Sequence, residues 1–166
     1  MNQQRLEPLA KNLELLYEKL ADFEQDLILS YSTDQKFSLK QKIKREILPG
    51  IQKYEAEYWD LMTQDAIFVY DEQAAEDSLR DVEASVKEVE VTPSLPEEVV
   101  ELLKQIRDIL NTPKKGASAK LKLALPLIPS ILSYDIEIDT SKKLYKVMDR
   151  VRQKKILKSQ NPPNKT

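Results

Sequence analysis

The chain has 166 residues, which suits one domain or a small domain with a tethered segment. It contains no cysteine and no histidine, which excludes disulfides, thiolate nucleophiles, Cys/His zinc sites and histidine-based catalytic triads. The formal charge of -2 is unevenly spread, because residues 1–111 hold 13 basic and 24 acidic side chains while residues 112–166 hold 13 and 4. The change of sign near Pro113 is therefore a candidate boundary.

The N-terminal segment has the apolar spacing of a long amphipathic helix. Its large apolar residues recur alternately every three and four positions, which is a heptad seam. The members of this seam are Leu6, Leu9, Leu13, Leu16, Leu20, Phe23 and Leu27. The spacing predicts a helix over residues 7–29. Ser32, with Gln35 three positions later, then forms the capping-box pattern that starts a second helix.

The second helix is predicted to continue to about residue 62. Its apolar series keeps its phase across Pro49 and Gly50 and comprises Phe37, Ile43, Ile47, Ile51, Tyr54, Tyr58 and Leu61. Proline inside a helix costs about 3 kcal/mol, but the preserved phase favours one kinked helix over two separate ones. A short loop between two long helices indicates an antiparallel, coiled-coil-like hairpin over residues 1–62.

The hairpin has an apolar ridge and a cluster of cations. The ridge is the candidate interaction surface and consists of Leu13, Leu16, Leu20, Ile47, Ile51 and Tyr58. Internal core is the simpler interpretation of these residues, and the pattern leaves both interpretations open. The cations are Lys36, Lys40, Lys42, Lys44 and Arg45. A solvated face that balances the acidic first helix is the simpler interpretation of this cluster, and binding of phosphate groups or anionic lipid is the alternative.

Residues 63–93 are predicted to be an acidic linker with partial helix, because their periodic apolar side chains are mostly small or β-branched. A third helix is predicted over residues 95–111, with a capping box formed by Ser94 and Glu97. It opens a C-terminal region, residues 94–160.

An apolar segment interrupted by Pro126 and Pro129 follows the third helix. The alternation from Tyr134 to Ile138 then predicts a short extended or β segment. The interleaved acids are Asp135, Glu137 and Asp139. A metal or catalytic site is one interpretation of these acids, and a row facing solvent is the simpler one.

The C-terminal segment is predicted to be a basic amphipathic helix followed by a disordered tail, residues 161–166. Its candidate anion-binding residues are Lys142, Lys143, Lys146, Arg150, Arg152, Lys154 and Lys155. Such a helix can lie on an anionic membrane or contact nucleic acid. The charge distribution favours a third possibility, in which the helix docks on the acidic part of this chain.

The chain offers no signal-peptide pattern at its start and no apolar run of roughly 20 residues, so we expect a soluble, cytoplasmic protein. The predicted fold class is mainly α. We expect no enzymatic activity, no metal and no cofactor, since no motif brings catalytic groups together.

Two stretches resemble segments of cyanobacterial signalling proteins. The first runs from Leu15 to Trp59 and is similar to the N-terminal helical modules that precede STAND-type NTPase and other effector domains. The second, from Leu125 to Thr140, is similar to a segment near NTPase or protease modules in the same systems. The resemblance implies an adaptor that lacks its effector and docks on its own kind or on another protein, and it carries over no catalytic residue.

These observations predict a non-catalytic adaptor or regulatory protein–protein interaction module of a bacterial signalling or conflict system. The alternative is a peripheral binder of anionic lipid or nucleic acid that uses the basic C-terminal helix. Neither function requires a small-molecule substrate.

Overall fold

The computed structural model describes the backbone of residues 2–64, 71–134 and 136–160, and the side chains of residues 5–62, 71–134 and 136–154. The chain divides into two compact units, Met1–Asp65 and Ala66–Thr166. The described residues are mainly helical and contain no strand, which confirms the predicted fold class. None of the helices is long and apolar enough to cross a lipid bilayer, within the residues described.

Unit 1 consists of two long helical stretches joined by residues 30–32. Helix α1 spans Asn2–Leu29, and its end agrees with the prediction. The second stretch comprises helix α2 (Thr33–Lys42), a π-helical segment (Ile43–Ile47) and helix α3 (Leu48–Gln64). Ser32 caps α2 as predicted, because its hydroxyl accepts a hydrogen bond of 3.3 Å from the amide of Gln35.

The second stretch continues through Pro49, in agreement with the predicted single helix. The π-helical segment lies directly before the proline, and the amide of Leu48 bonds to the carbonyl of Ile43, five residues back. In regular α geometry a proline ring collides with the carbonyl one turn earlier and removes one hydrogen bond. The wider π turn makes room for the ring and so preserves the helix.

A buried carboxylate ties α1 to α3. The hydroxyl of Tyr17 donates to one oxygen of Glu55 at 2.6 Å, and the indole nitrogen of Trp59 donates to the other at 3.0 Å. Glu55 and Trp59 are both fully buried. Since a buried polar group is costly unless it is hydrogen-bonded, this network favours the observed register of the two helices.

Unit 2 is also helical. Its elements are α4 (Glu72–Glu90), α5 (Glu97–Leu110), α6 (Ala117–Ala124), a 3-10 turn (Leu125–Leu127), α7 (Ile128–Leu132) and α8 (Ile138–Gln160). Helix α4 packs against α5, α6 and α8, and α5 also contacts α6 and α7. Helix α4 therefore lies at the centre of the unit.

The prediction of an acidic linker over residues 63–93 is wrong for α4, which is a central packed helix. Ala75, Val82 and Val89 are completely buried within α4. Small and β-branched side chains let neighbouring helices approach closely, so the feature that suggested weak burial in fact allows close packing. Residues 65–70 of the predicted linker lie outside the described residues. The division after Asp65 also differs from the boundary expected near Pro113, since α4 and α8 belong to one unit.

Two local predictions in unit 2 also need correction, and one segment has a structure that the sequence analysis did not assign. The segment with two prolines is helical, because Pro126 and Pro129 lie in the first positions of the 3-10 turn and of α7, where a missing amide does little harm. Ile138, predicted to be extended, is the first residue of α8. The predicted capping box at Ser94 is absent, because Pro96 is the N-cap of α5 and makes no side-chain cap bond. The predicted tail, residues 161–166, lies outside the described residues.

Candidate docking surface

The apolar ridge predicted from the sequence lies mainly in the interior. Five of its six members are buried, and the sixth, Leu16, is half-buried. The buried members are Leu13, Leu20, Ile47, Ile51 and Tyr58. Of the two interpretations left open by the sequence, the structure therefore supports the core for these residues.

The basic helix α8 is largely matched by acids of its own unit. The carboxylate of Asp81 in α4 forms ion pairs with Lys154 at 3.2 Å and with Arg150 at 3.8 Å. Lys143 pairs with Glu88 of α4 at 3.8 Å. These ion pairs are the intramolecular docking that the charge distribution favoured. They neutralise three of the cations that were candidates for binding external anions.

The other candidate anion-binding residues on α8 differ in their exposure and in their ion pairs. Arg152 is 1% exposed and pairs with Asp149 at 2.5 Å. Lys142 pairs with Asp139 at 3.6 Å and is largely covered, whereas Lys146 is exposed. The side chain of Lys155 lies outside the described residues. The candidates therefore do not form one open cationic face.

The most exposed large apolar side chains of unit 1 lie where α1 ends and α2 begins. Ile28, Leu29, Tyr31 and Phe37 are 82%, 64%, 100% and 64% exposed, respectively. We call these four residues the apolar tip. Phe37 was predicted to belong to the buried series, but it lies in α2, which buries no residue. A cluster of exposed apolar side chains on a packed unit is a candidate interaction site.

Cations border the apolar tip. Residues 27–45 contain five basic side chains and one acidic one, although the rest of unit 1 is acidic. Lys36, Lys40 and Lys42 are exposed, and no ion pair joins them to another side chain within the described residues. We call these three lysines the basic cluster. The sequence analysis identified these lysines as part of a cluster of five cations, but it did not identify the apolar tip. The signal for the tip was the continuation of large apolar residues into the turn.

The acidic trio makes no site in the described part of the chain. Asp139 is exposed and pairs with Lys142, Glu137 is exposed, and Asp135 is outside the described residues. No group of three or more Asp or Glu side chains suited to hold a metal ion occurs among the residues searched. Comparisons with protein-family models, with curated proteins and with solved structures gave no match.

Proposed function

We propose that the protein is a non-catalytic adaptor that acts by contact, with the apolar tip and the basic cluster as its docking surface. Unit 1 is then an antiparallel helical hairpin that presents the turn between its two arms. The observation that carries the proposal is the exposure of four large apolar side chains around that turn. Burying one such side chain against a partner contributes about 1.5–3 kcal/mol.

The packing of the predicted ridge supports this choice of surface. Leu13 and Ile51 are fully buried, so an adaptor that used them would have to open its own core. The apolar tip is accessible without any rearrangement. The resemblance to helical modules that accompany effector domains agrees with an adaptor role, and a link to bacterial signalling and a cytoplasmic location remain predictions.

Site-specific photo-cross-linking in intact cells tests the proposal. A diazirine analogue of phenylalanine replaces Tyr31 in one variant and Val91 in a control, since Val91 of unit 2 is 82% exposed. We expect discrete adducts, to protein or to lipid, from position 31 and none from position 91. The same adducts from both positions, or none from position 31, would contradict the proposed function.

A further inference from the structure

We infer that the occupant of this docking surface is an anionic lipid surface, an inference that rests on the proposed function and names its partner. The apolar tip enters the interface between headgroups and acyl chains, and Lys36 and Lys40 of the basic cluster contact the lipid phosphates. The protein is then a peripheral membrane adaptor.

The side chains of the apolar tip suit a lipid interface. Ile28 and Leu29 are aliphatic, and aliphatic groups gain more from hydrocarbon than from stacking on nucleic-acid bases. Tyr31 combines an apolar ring with a polar hydroxyl, the amphipathic character found at the boundary between lipid and water. A bilayer also accepts all of these side chains without a pocket of matching shape.

The basic cluster provides charge complementarity in the same place. Phe37 and Lys40 are three residues apart on α2 and are therefore neighbours on one helix face. Lys36 lies one turn before Lys40. Long lysine side chains reach from an apolar contact to the phosphate level, and each cation near an anionic surface strengthens binding about fivefold.

The charge pattern of unit 1 orients this contact. Residues 2–26 contain three basic and six acidic side chains, and residues 46–65 contain one and five. An anionic surface therefore repels the rest of the unit and attracts residues 27–45. An approach led by the turn brings the apolar tip to the lipid together with Lys36 and Lys40, which share one face of α2, while Lys42 at the end of α2 adds its charge from further away.

Co-sedimentation of the full chain with vesicles tests the inference. We expect binding to phosphatidylcholine vesicles that contain about 30% phosphatidylglycerol, loss of binding on pure phosphatidylcholine, and weakening with salt. The triple variant Lys36→Glu, Lys40→Glu and Lys42→Glu should bind at least about 20-fold more weakly. The control Lys114→Glu, Lys115→Glu and Lys122→Glu makes the same charge change at exposed lysines of unit 2 and should lose less than about threefold.

A second pair of variants isolates the apolar contribution. Replacing Ile28, Tyr31 and Phe37 by serine should abolish sedimentation, while the control Val91→Ser, Val100→Ser and Leu123→Ser, at exposed positions of unit 2, should not. The single tryptophan, Trp59, is fully buried, so its unchanged emission verifies folding of unit 1 in each variant.

Three results would overturn the inference: no binding at low salt, equal binding to neutral vesicles, or equal losses in the variants and their controls. A protein adduct at position 31 without vesicle binding would also overturn it and would leave the proposed function standing. Absence of any adduct at position 31 would instead remove the proposed function itself.

Discussion

Residues 36–45 and residues 142–154 are both rich in lysine and arginine, but their surroundings differ. In α8 the cations of Lys143, Arg150 and Lys154 meet carboxylates of α4, and Arg152 is buried. In α2 the cations of the basic cluster meet no acid among the described side chains, and exposed apolar residues lie beside them.

The comparison shows that the number of cations on a helix does not identify an anion-binding surface. Helix α8 carries more basic residues than α2, yet its cations help to hold its own unit together. What distinguishes α2 is that no carboxylate among the described side chains pairs with the lysines of the basic cluster. A tertiary neighbour, rather than composition, thus decides whether a cation is available to a partner.

The largest expected effect comes from breaking the ion pair between Arg152 and Asp149 in α8. Arg152→Ala removes a buried partner of Asp149 and the packing of the long side chain, so we expect it to lower the free energy of unfolding by about 4 kcal/mol. Arg150→Ala is the control, because Arg150 has 54% of its side chain exposed and should cost less than about 1 kcal/mol. Urea denaturation measures both, and equal costs would contradict a structural role for Arg152.

The next prediction separates the core of unit 1 from the apolar tip. Leu20 is 2% exposed and Leu29 is 64% exposed, although both lie on α1. We expect Leu20→Ala to cost about 3 kcal/mol and Leu29→Ala less than about 0.5 kcal/mol. Denaturation followed by Trp59 emission reports on unit 1. A small cost at Leu20 would mean that the apolar ridge is not the core.

The third prediction concerns the acids of α4 that neutralise the cations of α8. The double variant Asp81→Asn and Glu88→Gln removes the carboxylates facing Lys143, Arg150 and Lys154. We expect a loss of about 1 kcal/mol in stability, since these pairs are partly exposed, and stronger retention on heparin. The double variant Glu97→Gln and Glu98→Gln, at exposed positions of α5, is the charge-matched control. Equal retention of the two variants would show that α4 does not mask α8.

The smallest expected effect concerns stability at the basic cluster. Lys36→Ala, Lys40→Ala and Lys42→Ala should each change the free energy of unfolding by less than about 0.5 kcal/mol, because these exposed lysines make no ion pair with described side chains. Thermal denaturation checks this. A loss above about 1 kcal/mol would place a structural partner at the basic cluster.

The long helices of unit 1 were predictable because large apolar side chains at helical spacing indicate a buried helix face. The end of α1 at Leu29 and the cap at Ser32 depend on local signals and were therefore predictable. The predicted linker contained partial helix, but the burial of α4 was not predicted, because it depends on neighbours distant in sequence that small side chains do not indicate. Ile138 was included in the predicted extended or β segment because three alternating residues cannot distinguish an extended segment from the first turn of a helix.

The docking surface was only partly predictable for the same reason. Lysines 36, 40 and 42 were visible as a cluster, but whether an acid faced them depended on the tertiary fold. Phe37 fits the apolar series of the second helix by spacing, and only the packing of α1 against α3 shows that the core ends before it.

Hydrogen–deuterium exchange of the full chain, with and without phosphatidylglycerol vesicles, tests the central claim most directly. The account predicts that vesicles protect peptides covering residues 27–42 and leave peptides covering residues 142–154 unchanged. Protection confined to residues 142–154, with none at the apolar tip, would contradict it.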